Sequence, residues 1–584
     1  MSILSAEAVT TAELAPAPFE PLLDRVEIAV LGAGAGPVRT LSELPRGLRM
    51  LQVESPGAAV EIRLSVPLDD AVGYWHPKAG WSRTLVADWE GRSRVSLIDG
   101  LAVGCLYDYT GATLLTFAAA DPVPEVSLRF GVSEENDTHV VHLELPASDT
   151  PHRFLFVPRS PSVASALSAL RGWYETEMPA PMPVPEAARL PLYCTWYAFN
   201  QQIDAAEVER QAELAADMGF GTLILDDGWQ RFGSGRGYTG VGDWIPDTDK
   251  FPDFAAHVAR VRGGLRYMIW VAPLLLGPQA DCYEEWASFA PVAARAPGAY
   301  VLDPRHPEVR THVVGTCLRL VRDYGLDGLK VDFLNEVMVY AGDERGDVGQ
   351  ALKLLLTELR GALLAERSDL LLELRQPYVG PGMAAFGNML RSFDCPADST
   401  ANRVRTIDTS LLAVGGAVHS DPLLWDTSAP VEAAARQLIG ALYSVPQVSV
   451  RLDALTSEQA EAVRFWLAQW RRLRPQLLDG TVDPGRPDEL YTLVRAESDG
   501  VHVLSAHDDR VVPVLPATQR ETVLVNATTK NRLVVDVEDS GAQVEVDVRG
   551  PDGRIIERTR MSLVPGLHSI PVPRMGLALL TKTT

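Results

Sequence analysis

Acidic, basic and aromatic side chains stand at or directly after short apolar runs in the middle of the chain. Those singled out are Trp196, Tyr197, Asp226, Asp227, Lys330, Asp332, Arg375, Asp394, His419 and Asp421. Tryptophan faces stack on the apolar face of a sugar ring, while carboxylates accept hydrogen bonds from its hydroxyls. Two carboxylates can cleave a glycosidic bond when one lies near the anomeric carbon and the other near the leaving oxygen. This set of side chains therefore suits carbohydrate chemistry.

Asp332 and Asp394 form the best candidate pair, because each ends a different apolar run. Lys330 stands two residues before Asp332, so both side chains leave the same face of a strand. A neighbouring cation would keep Asp332 ionised, as a nucleophile requires. A general acid at position 394 needs a raised pKa, which we expect partial burial beside ionised Asp332 to supply.

Eight apolar runs alternate with longer segments of helical period in the middle of the chain. The runs are LYCTW (192–196), TLILD (222–226), YMIWV (267–271), GLKVD (328–332), LLLEL (370–374), MLRSF (389–393), GAVHS (416–420) and VSVRL (448–452). Such runs are typical of a buried parallel sheet covered by helices. Eight strand–helix units predict a (β/α)8 TIM barrel, whose catalytic groups cluster at the carboxyl ends of the strands.

The two flanks of the barrel have a different pattern. Short alternating runs before residue 160 predict an antiparallel β-sandwich, followed by a helical stretch and the proline-rich segment PAPMPVPEAARLP. Alternating strands return from about Leu490 onward and predict a small C-terminal β domain. The expected multidomain α/β chain thus has a sandwich with helical linker at 1–180, a catalytic barrel at 181–485 and a C-terminal β domain at 486–584.

Composition excludes several other classes of protein. The 584 residues include 53 basic and 76 acidic ones, and a formal charge of −23 repels nucleic acid and anionic lipid. Five cysteines without a CxxC pair indicate neither a disulfide framework nor a cysteine zinc site. The first twenty residues do not resemble a secretory signal, and no apolar run reaches membrane-spanning length. We therefore expect a cytoplasmic protein without a cofactor or metal, and leave self-association through the β domains open.

Several segments of the barrel resemble glycoside hydrolase family 36, which contains α-galactosidases and is related to the melibiases and raffinose synthases. The segments are WYAFN (196–200), LDDGW (225–229), GDW and KFP (within 242–252), LKVDFLN (329–335) and RSFDCPAD (391–398). The order of sandwich, barrel and C-terminal β domain is also similar. The resemblance implies a retaining α-glycosidase acting on terminal α-galactosyl groups.

The resemblance implies roles for individual residues. Its Lys-x-Asp motif falls on Lys330 and Asp332, which makes Asp332 the nucleophile that forms a covalent glycosyl-enzyme. Asp226 and Asp227 match paired aspartates that bind the 4- and 6-hydroxyls of galactose, with Trp229 beside them.

Two aromatic residues complete the implied pocket. Trp196 matches an aromatic wall, and Trp244, after Asp243, belongs to a loop motif that closes over the sugar. Trp425 lies further along the chain and suits a pocket wall and a core position equally.

Two segments depart from the family pattern. The acid/base residue usually lies in a Ser-Asp-x-Thr-Asp segment, and RSFDCPAD offers both Asp394 and Asp398 in its place. We prefer Asp394 because it directly follows the sixth run, and we keep Asp398 as its rival. Strand five carries ELRQPYVGPG (373–382) where many bacterial members have Cys-x-x-Gly-Gly-Gly-Arg. The resemblance implies that Arg375 in this segment contacts the substrate or the nucleophile.

The sequence leaves three hypotheses for function. The first is a retaining α-galactosidase. The second is an α-galactosyl transglycosylase or an α-glycosidase for another sugar, on the same scaffold. The third, from a different class, is a barrel that binds carbohydrate without turning it over. A small oligosaccharide or α-galactoside is the expected partner in each case.

Overall fold

The alternating runs of the N-terminal part form two antiparallel sheets of six strands. The computed structural model describes residues 19–32, 39–77, 83–235 and 237–583. The strands are β1 (Glu20–Leu23), β2 (Val26–Gly32), β3 (Arg39–Glu43), β4 (Arg49–Ser55), β5 (Val60–Pro67), β6 (Ala71–Trp75), β7 (Gly91–Val95), β8 (Val103–Asp108), β9 (Thr113–Ala119), β10 (Val126–Ser133), β11 (Thr138–Leu145) and β12 (Ser148–Val157).

The two sheets pack face to face as a sandwich. Their strand orders are β1-β2-β5-β11-β10-β7 and β3-β4-β12-β9-β8-β6. Inward-facing residues of both, such as Leu64, Leu143 and Phe117, share one buried cluster. Helix α1 (Val163–Glu177) follows, with a capping box between Ser162 and Ser165 at its start.

The eight predicted runs each overlap one strand of an eight-stranded parallel sheet. Its strands are β13 (Leu192–Cys194), β14 (Thr222–Leu225), β15 (Arg266–Val271), β19 (Gly328–Asp332), β20 (Leu371–Arg375), β21 (Met389–Arg391), β22 (Ala417–His419) and β23 (Gln447–Val448). The sheet runs β22-β21-β20-β19-β15-β14-β13-β23, and a bridge between His419 and Val445 brings its two ends together. The predicted TIM barrel is therefore confirmed.

Helices fill most connections between these strands. They are α2 (Trp196–Phe199), α3 (Ala205–Met218), α4 (Phe254–Arg262), α5 (Tyr283–Trp286), α6 (Pro307–Tyr324), α7 (Val348–Glu366), α8 (Ser399–Leu412), α9 (Val431–Gly440) and α10 (Ser457–Leu477). The connection from β20 to β21 forms only a 3-10 turn, Pro381–Ala385. Three two-residue strands, β16 (Leu275–Leu276), β17 (Val292–Ala293) and β18 (Tyr300–Val301), make a small sheet beyond β15.

The C-terminal part is a β domain of two sheets. Its strands are β24 (Thr481–Asp483), β25 (Leu493–Ser498), β26 (Val501–Ala506), β27 (Val511–Val514), β28 (Glu521–Asn526), β29 (Leu533–Val537), β30 (Ala542–Arg549), β31 (Ile555–Leu563), β32 (Gly566–Ile570) and β33 (Gly576–Lys582). Strand β24 already pairs with β25, ahead of the boundary predicted at residue 486. The exact domain limits stay predictions. Within the described residues, every helix is too short or too polar to span a bilayer.

Helix α10 joins the barrel to this β domain through two buried tryptophans. Trp470 donates its indole N–H to the carbonyl of Ser444 at 2.7 Å, and Trp466 donates to the carbonyl of Pro551 at 3.0 Å. Both side chains fill core, as their i, i+4 spacing on one helix face indicates.

A single buried carboxylate ties all three parts together. Asp408 on α8 accepts hydrogen bonds from Trp75 Nε1 at 2.7 Å and Arg83 Nη2 at 2.6 Å, both in the sandwich. The hydroxyl of Tyr491, which precedes β25, donates to the same carboxylate at 2.6 Å. Because Asp408 and Arg83 are almost completely buried, each charge relies on the other for compensation.

We expect Asp408→Asn to lower the free energy of unfolding by about 3–5 kcal/mol, because the neutral amide leaves the Arg83 charge buried without a partner. Urea titrations followed by tryptophan fluorescence measure the change. Asp323→Asn, at an exposed position on α6, is the matched control and should leave the transition in place. Equal midpoints for the two variants would show that the Asp408 cluster does not hold the parts together.

Candidate active site

The interior face of the barrel changes from apolar to charged along its strands. Leu371 at the start of β20 packs against Ile224, Met268 and Met389 in a buried cluster. Alternate residues of a strand share a face, so Glu373 and Arg375 continue the face of Leu371 toward the carboxyl end. Lys330 and Asp332 likewise share one face of the neighbouring strand β19, in register with Glu373 and Arg375. The parallel strands thus carry their charged residues to one mouth.

Asp332 ends β19 and is held by three donors. The indole N–H of Trp270 donates to its Oδ2 at 3.0 Å, and the backbone N–H of Phe333 donates to its Oδ1 at 2.7 Å. Phe333 adopts φ 55°, a left-handed turn that directs this N–H back at the carboxylate. Arg375 Nη1 lies 3.4 Å from Oδ1. These contacts fix the position of the carboxylate.

The guanidinium of Arg375 also contacts Asp394, so both predicted carboxylates face one cation. Its Nε donates to Asp394 Oδ1 at 3.3 Å, and its Nη2 forms an ion pair with Oδ2. Residues 332 and 375 are direct register partners on β19 and β20. Asp332 and Asp394 therefore lie in one site, as the pattern of strand ends indicates.

A second arginine, Arg391, approaches Asp394 from below. Its Nη1 donates to Asp394 Oδ1 at 2.6 Å and lies 3.1 Å from Asp421 Oδ1. Burial alone would raise the pKa of Asp394, but Arg391 and Arg375 outweigh it and hold the pKa well below its usual range. The expectation that partial burial raises the pKa of Asp394 is therefore wrong, because two guanidinium groups lie against this carboxylate.

Asp421 lies beneath this pair and is completely buried. Its Oδ2 accepts hydrogen bonds from the hydroxyl of Tyr197 at 3.0 Å and from the backbone N–H of Cys395 at 2.7 Å. Burial raises the pKa of Asp421 to about 6, although Arg391 acts in the opposite direction. Asp421 thus supports the segment that carries Asp394 rather than facing solvent itself.

Lys330 pairs with a different carboxylate from the one predicted. Its Nζ donates to Asp226 Oδ2 at 2.6 Å, and both side chains are nearly completely buried. Burial lowers the pKa of Lys330, but the Asp226 carboxylate outweighs it and the pKa lies above its usual value. Arg375 rather than Lys330 is therefore the cation in direct contact with Asp332, although the Asp332 charge still contributes to the raised pKa of Lys330.

Asp227 lies beside Asp226 and is held by two amides. Gln201 Nε2 and Gln230 Nε2 each donate to one of its carboxylate oxygens at 2.7 Å. Burial is the largest cause that raises its pKa to about 6, with the neighbouring Asp226 charge adding to it. The alternative of a helix cap is excluded for this pair, since the next long helix, α4, begins at Phe254.

Two tryptophans predicted at the sugar pocket are buried. Trp229 is 0% exposed and donates its indole N–H to the carbonyl of Trp270 at 2.9 Å, while its ring stacks on Phe254. Trp244 is 2% exposed and packs edge-on against Trp270. The long loop after β14 folds both rings inward beneath the mouth, and their contact with a sugar stays a prediction.

The aromatic residues that do flank Asp332 include three that the sequence analysis missed. Trp270 contacts the carboxylate directly, and the rings of Tyr238 and Phe333 lie near it, with centroids 6.1 and 6.4 Å from that of Trp270. Trp270 stands near the end of the third apolar run, where the functional side chains of a barrel are expected, so its position in the sequence could have identified it. Trp196 at the start of α2 is half-buried against the interior cluster of the barrel.

Asp398, the rival of Asp394, caps a helix. Its side chain accepts hydrogen bonds from the backbone N–H groups of Thr400 at 3.1 Å and Ala401 at 2.9 Å, at the start of α8. This is the usual role of an aspartate before a helix. Asp398 therefore has a structural role at the start of α8, and the choice of Asp394 over Asp398 stays a prediction. Trp425 is buried and its indole N–H faces Gln459, which favours its core interpretation.

The described residues contain no group of three or more histidine, cysteine or carboxylate side chains arranged to hold a metal ion. The charged side chains of the mouth are instead paired with one another. Acid/base and nucleophilic chemistry by carboxylates is what this arrangement can supply.

The segments of this chain that are similar in sequence to known proteins lie in the barrel. Residues 185–355 match the melibiase family model. The α-galactosidase of Escherichia coli is 29% identical over 170 residues, which are 27% of this chain and 23% of that protein. The α-galactosidase 2 of Pediococcus pentosaceus is 32% identical over 152 residues, which are 24% of this chain and 20% of that protein. The matched segments thus span about a fifth of the length of these curated relatives.

Solved structures extend the likeness to the whole fold. The family 36 α-galactosidase of Geobacillus stearothermophilus, in complex with 1-deoxygalactonojirimycin, has a TM-score of 0.64 at 16% identity, over 97% of this chain and 86% of that chain. The α-galactosidase of Lactobacillus brevis has a TM-score of 0.63 at 14% identity, over 96% and 82%.

Residues 185–355 of the barrel thus resemble the melibiase family in sequence. More particularly, the fold is similar to that of the solved α-galactosidases of glycoside hydrolase family 36, so the predicted resemblance is confirmed.

The partner of Lys330 can be tested by stability. We expect Lys330→Met to lower the free energy of unfolding by about 3–5 kcal/mol, because the Asp226 charge stays buried without its cation. Adding Asp226→Asn should recover much of this loss, whereas adding Asp332→Asn should not. A double-mutant cycle in urea measures both couplings. A larger coupling of Lys330 to Asp332 than to Asp226 would contradict the pairing described here.

Proposed function

We propose that the protein is a retaining α-glycosidase that hydrolyses terminal α-galactosyl groups. The observation that carries this proposal is the pair Asp332 and Asp394, which share the guanidinium of Arg375 at the mouth of the barrel. Two carboxylates that face one space are the catalytic groups that most glycoside hydrolases use. The similarity of the barrel to proteins named α-galactosidases supports the choice of sugar.

Asp332 serves as the nucleophile. Its carboxylate attacks the anomeric carbon, the bond to the leaving oxygen breaks, and a covalent glycosyl-enzyme forms. The N–H groups of Trp270 and Phe333 orient the carboxylate for this attack. Arg375 is the cation that contacts it directly.

Asp394 serves as the acid/base residue. In the first step it donates a proton to the leaving oxygen. In the second step it takes a proton from a water molecule, which attacks the anomeric carbon and releases the sugar from Asp332. Its side chain is 32% exposed, so water and the leaving group have access to it. The low pKa set by the two arginines favours the carboxylate form, which takes the proton from water in the second step.

The remaining predicted residues line the deeper part of the site. Asp226, Asp227 and Lys330 offer carboxylates and an ammonium to sugar hydroxyls, and Trp196 offers an aromatic wall. A related family 36 α-galactosidase has been solved with raffinose, an oligosaccharide. We propose an α-galactoside as the substrate of this chain and the cytoplasm as its location, where its five free thiols remain reduced.

Asp332→Ala should abolish measurable hydrolysis of nitrophenyl α-galactoside while the fold persists, because no other carboxylate at the mouth can form the glycosyl-enzyme. Mass spectrometry after incubation with an activated 2-fluoro-galactoside should find one sugar attached to the wild-type peptide that contains Asp332. Circular dichroism checks the fold of the variant. Label on another residue would remove Asp332 from its role.

The same assay separates the three hypotheses for function. If Asp332→Ala leaves the turnover of the galactoside unchanged, the proposed nucleophile is wrong. If the wild type binds the sugar without turning it over, the protein is a binding barrel. Release of a new glycoside rather than free galactose, when a sugar acceptor is supplied, indicates a transglycosylase. Turnover of other nitrophenyl α-glycosides in preference to the galactoside indicates a different sugar.

The acid/base assignment is tested by two isosteric variants. Asp394→Asn should lower kcat by about 10²-fold to 10⁴-fold, because water loses its general base. Asp398→Asn should retain activity, since asparagine caps a helix as well as aspartate does. Steady-state kinetics on nitrophenyl α-galactoside measures both. The opposite ranking of the two variants would make Asp398 the acid/base residue.

A further inference from the structure

The ammonium of Lys250 lies where three backbone segments at the mouth of the barrel converge. Its Nζ donates to three carbonyl oxygens, those of Gln201 at 3.0 Å, Gly228 at 2.8 Å and Gly233 at 2.7 Å. An ammonium group has three N–H donors and no acceptor, so these bonds use every donor that the side chain has. Lys250 is therefore bonded entirely to backbone and holds three stretches of the chain at one point.

Each of these three stretches also sets the position of Asp227. Gln201 donates its side-chain amide to Asp227 Oδ2 at 2.7 Å, and Gly228 directly follows Asp227 in the chain. Gly233 donates its backbone N–H to the carbonyl of Gln230 at 3.1 Å, and the side-chain amide of Gln230 donates to Asp227 Oδ1 at 2.7 Å. Both oxygens of this carboxylate are thus fixed by amides whose backbones meet at the same ammonium.

Gly228 packs directly against the backbone of Gln201. It adopts φ 114°, and a Cβ atom at this position would lie 2.6 Å from the Cα of Gln201. The carbonyl oxygens directed at the ammonium carry partial negative charges, so they repel one another at this spacing. The positive charge of Lys250 converts this repulsion into attraction. Removal of that charge should therefore let the two loops separate.

The backbone of Lys250 is itself held in place. Asp247 Oδ1 accepts hydrogen bonds from the backbone N–H groups of Asp249 at 2.9 Å and Lys250 at 3.4 Å, which close a turn. The backbone N–H of Asp247 donates to the carbonyl of Trp229 at 2.9 Å, and the carbonyl of Lys250 accepts from the N–H of Ala205 at 3.0 Å, at the start of α3. The ammonium thus extends from a fixed turn toward the three carbonyls.

The two neighbouring carboxylates of the deep site are supported in different ways. Asp226 has the ammonium of Lys330 in direct contact at 2.6 Å. The side-chain donors to Asp227 are neutral amides, so its position depends on the backbone that carries those amides. Lys250 is the cation that joins this backbone.

We propose that Lys250 is a positioning residue for Asp227, and that its ammonium determines how tightly the site holds the glycosyl group of an α-galactoside. Lys250 acts through Asp227 and contacts no reacting atom, since its three donors are bonded to carbonyl oxygens. This inference rests on the proposed function, in which Asp227 accepts a hydrogen bond from a hydroxyl of the sugar.

Lys250→Met removes the ammonium and keeps a side chain of similar length. We expect kcat/KM for nitrophenyl α-galactoside to fall by about 10-fold to 10²-fold, which is the loss expected when one hydrogen bond to a charged group is disrupted. The inhibition constant of galactose should rise by a similar factor, because the same hydroxyl is bound in the ground state and in the transition state. Steady-state kinetics with galactose as a competitive inhibitor measures both values.

A double-mutant cycle shows whether Lys250 acts through Asp227. When Asp227→Ala has already removed the carboxylate, Lys250→Met should lower kcat/KM by less than about threefold further, because no carboxylate remains to be positioned. If Lys250 only supported the packing of the mouth, the two single effects would multiply. Lys250→Arg keeps a cation but spreads its donors over a planar fork, so it should give a smaller loss in the same direction. It takes the place of the methionine variant in the cycle if that variant does not fold.

Lys353→Met is the matched control. It makes the same change at an exposed position on α7 and should leave both kinetic values as in the wild type. Circular dichroism checks the fold of every variant. Unchanged values in Lys250→Met and Lys250→Arg, or single effects that multiply in the double variant, would overturn the inference. A wild type that does not hydrolyse nitrophenyl α-galactoside would instead overturn the proposed function, and this inference with it.

Discussion

The guanidinium of Arg375 between Asp332 and Asp394 is the interaction on which the mouth of the barrel depends. A charge inside a protein is tolerated only where a partner of opposite sign and enough hydrogen bonds compensate the lost hydration. The closed barrel brings the inward side chains of its strands together, so charges from different strands compensate one another. The pairs Asp226 with Lys330 and Asp421 with Arg391 follow the same rule one level below.

This compensation determines what each carboxylate can do. Asp332 has an indole N–H, a backbone N–H and one guanidinium nitrogen, which fix the orientation of the proposed nucleophile. Asp394 has arginine donors on both oxygens, which hold its pKa low. Two aspartates of the same type, a few ångströms from the same cation, thus differ in chemistry because their donors differ in number and charge.

The parts outside the barrel hold the mouth rather than supply its chemistry. Asp408 on α8 joins the sandwich and the C-terminal domain, and α8 is also the helix that follows the segment carrying Asp394. Arg405 on the same helix binds the carbonyls of that segment. The position of Asp394 is therefore coupled to contacts made by both β domains through one helix.

The sequence by itself determined the fold class and the site to which the chemistry belongs. Apolar runs alternating with helical segments specify parallel strands, and parallel strands deliver their carboxyl ends to one mouth, so Asp332, Asp394 and Arg375 could be placed together. Trp270 could also have been found from its position near a strand end. The cap at Asp398 could likewise have been predicted from the sequence, because an aspartate followed by a serine and a threonine is typical of the start of a helix.

Only the tertiary structure decided which charge pairs with which and which tryptophan faces the cavity. Lys330 and Asp332 share a strand face, yet Lys330 is nearest to Asp226 from another strand, because the depth of a side chain in the barrel outweighs its distance along the chain. Trp229 and Trp244 are buried because the loop after β14 folds back on Trp270. Spacing along a chain limits which faces residues share, whereas the strength of a charge pair depends on distances across the barrel, which no local pattern contains.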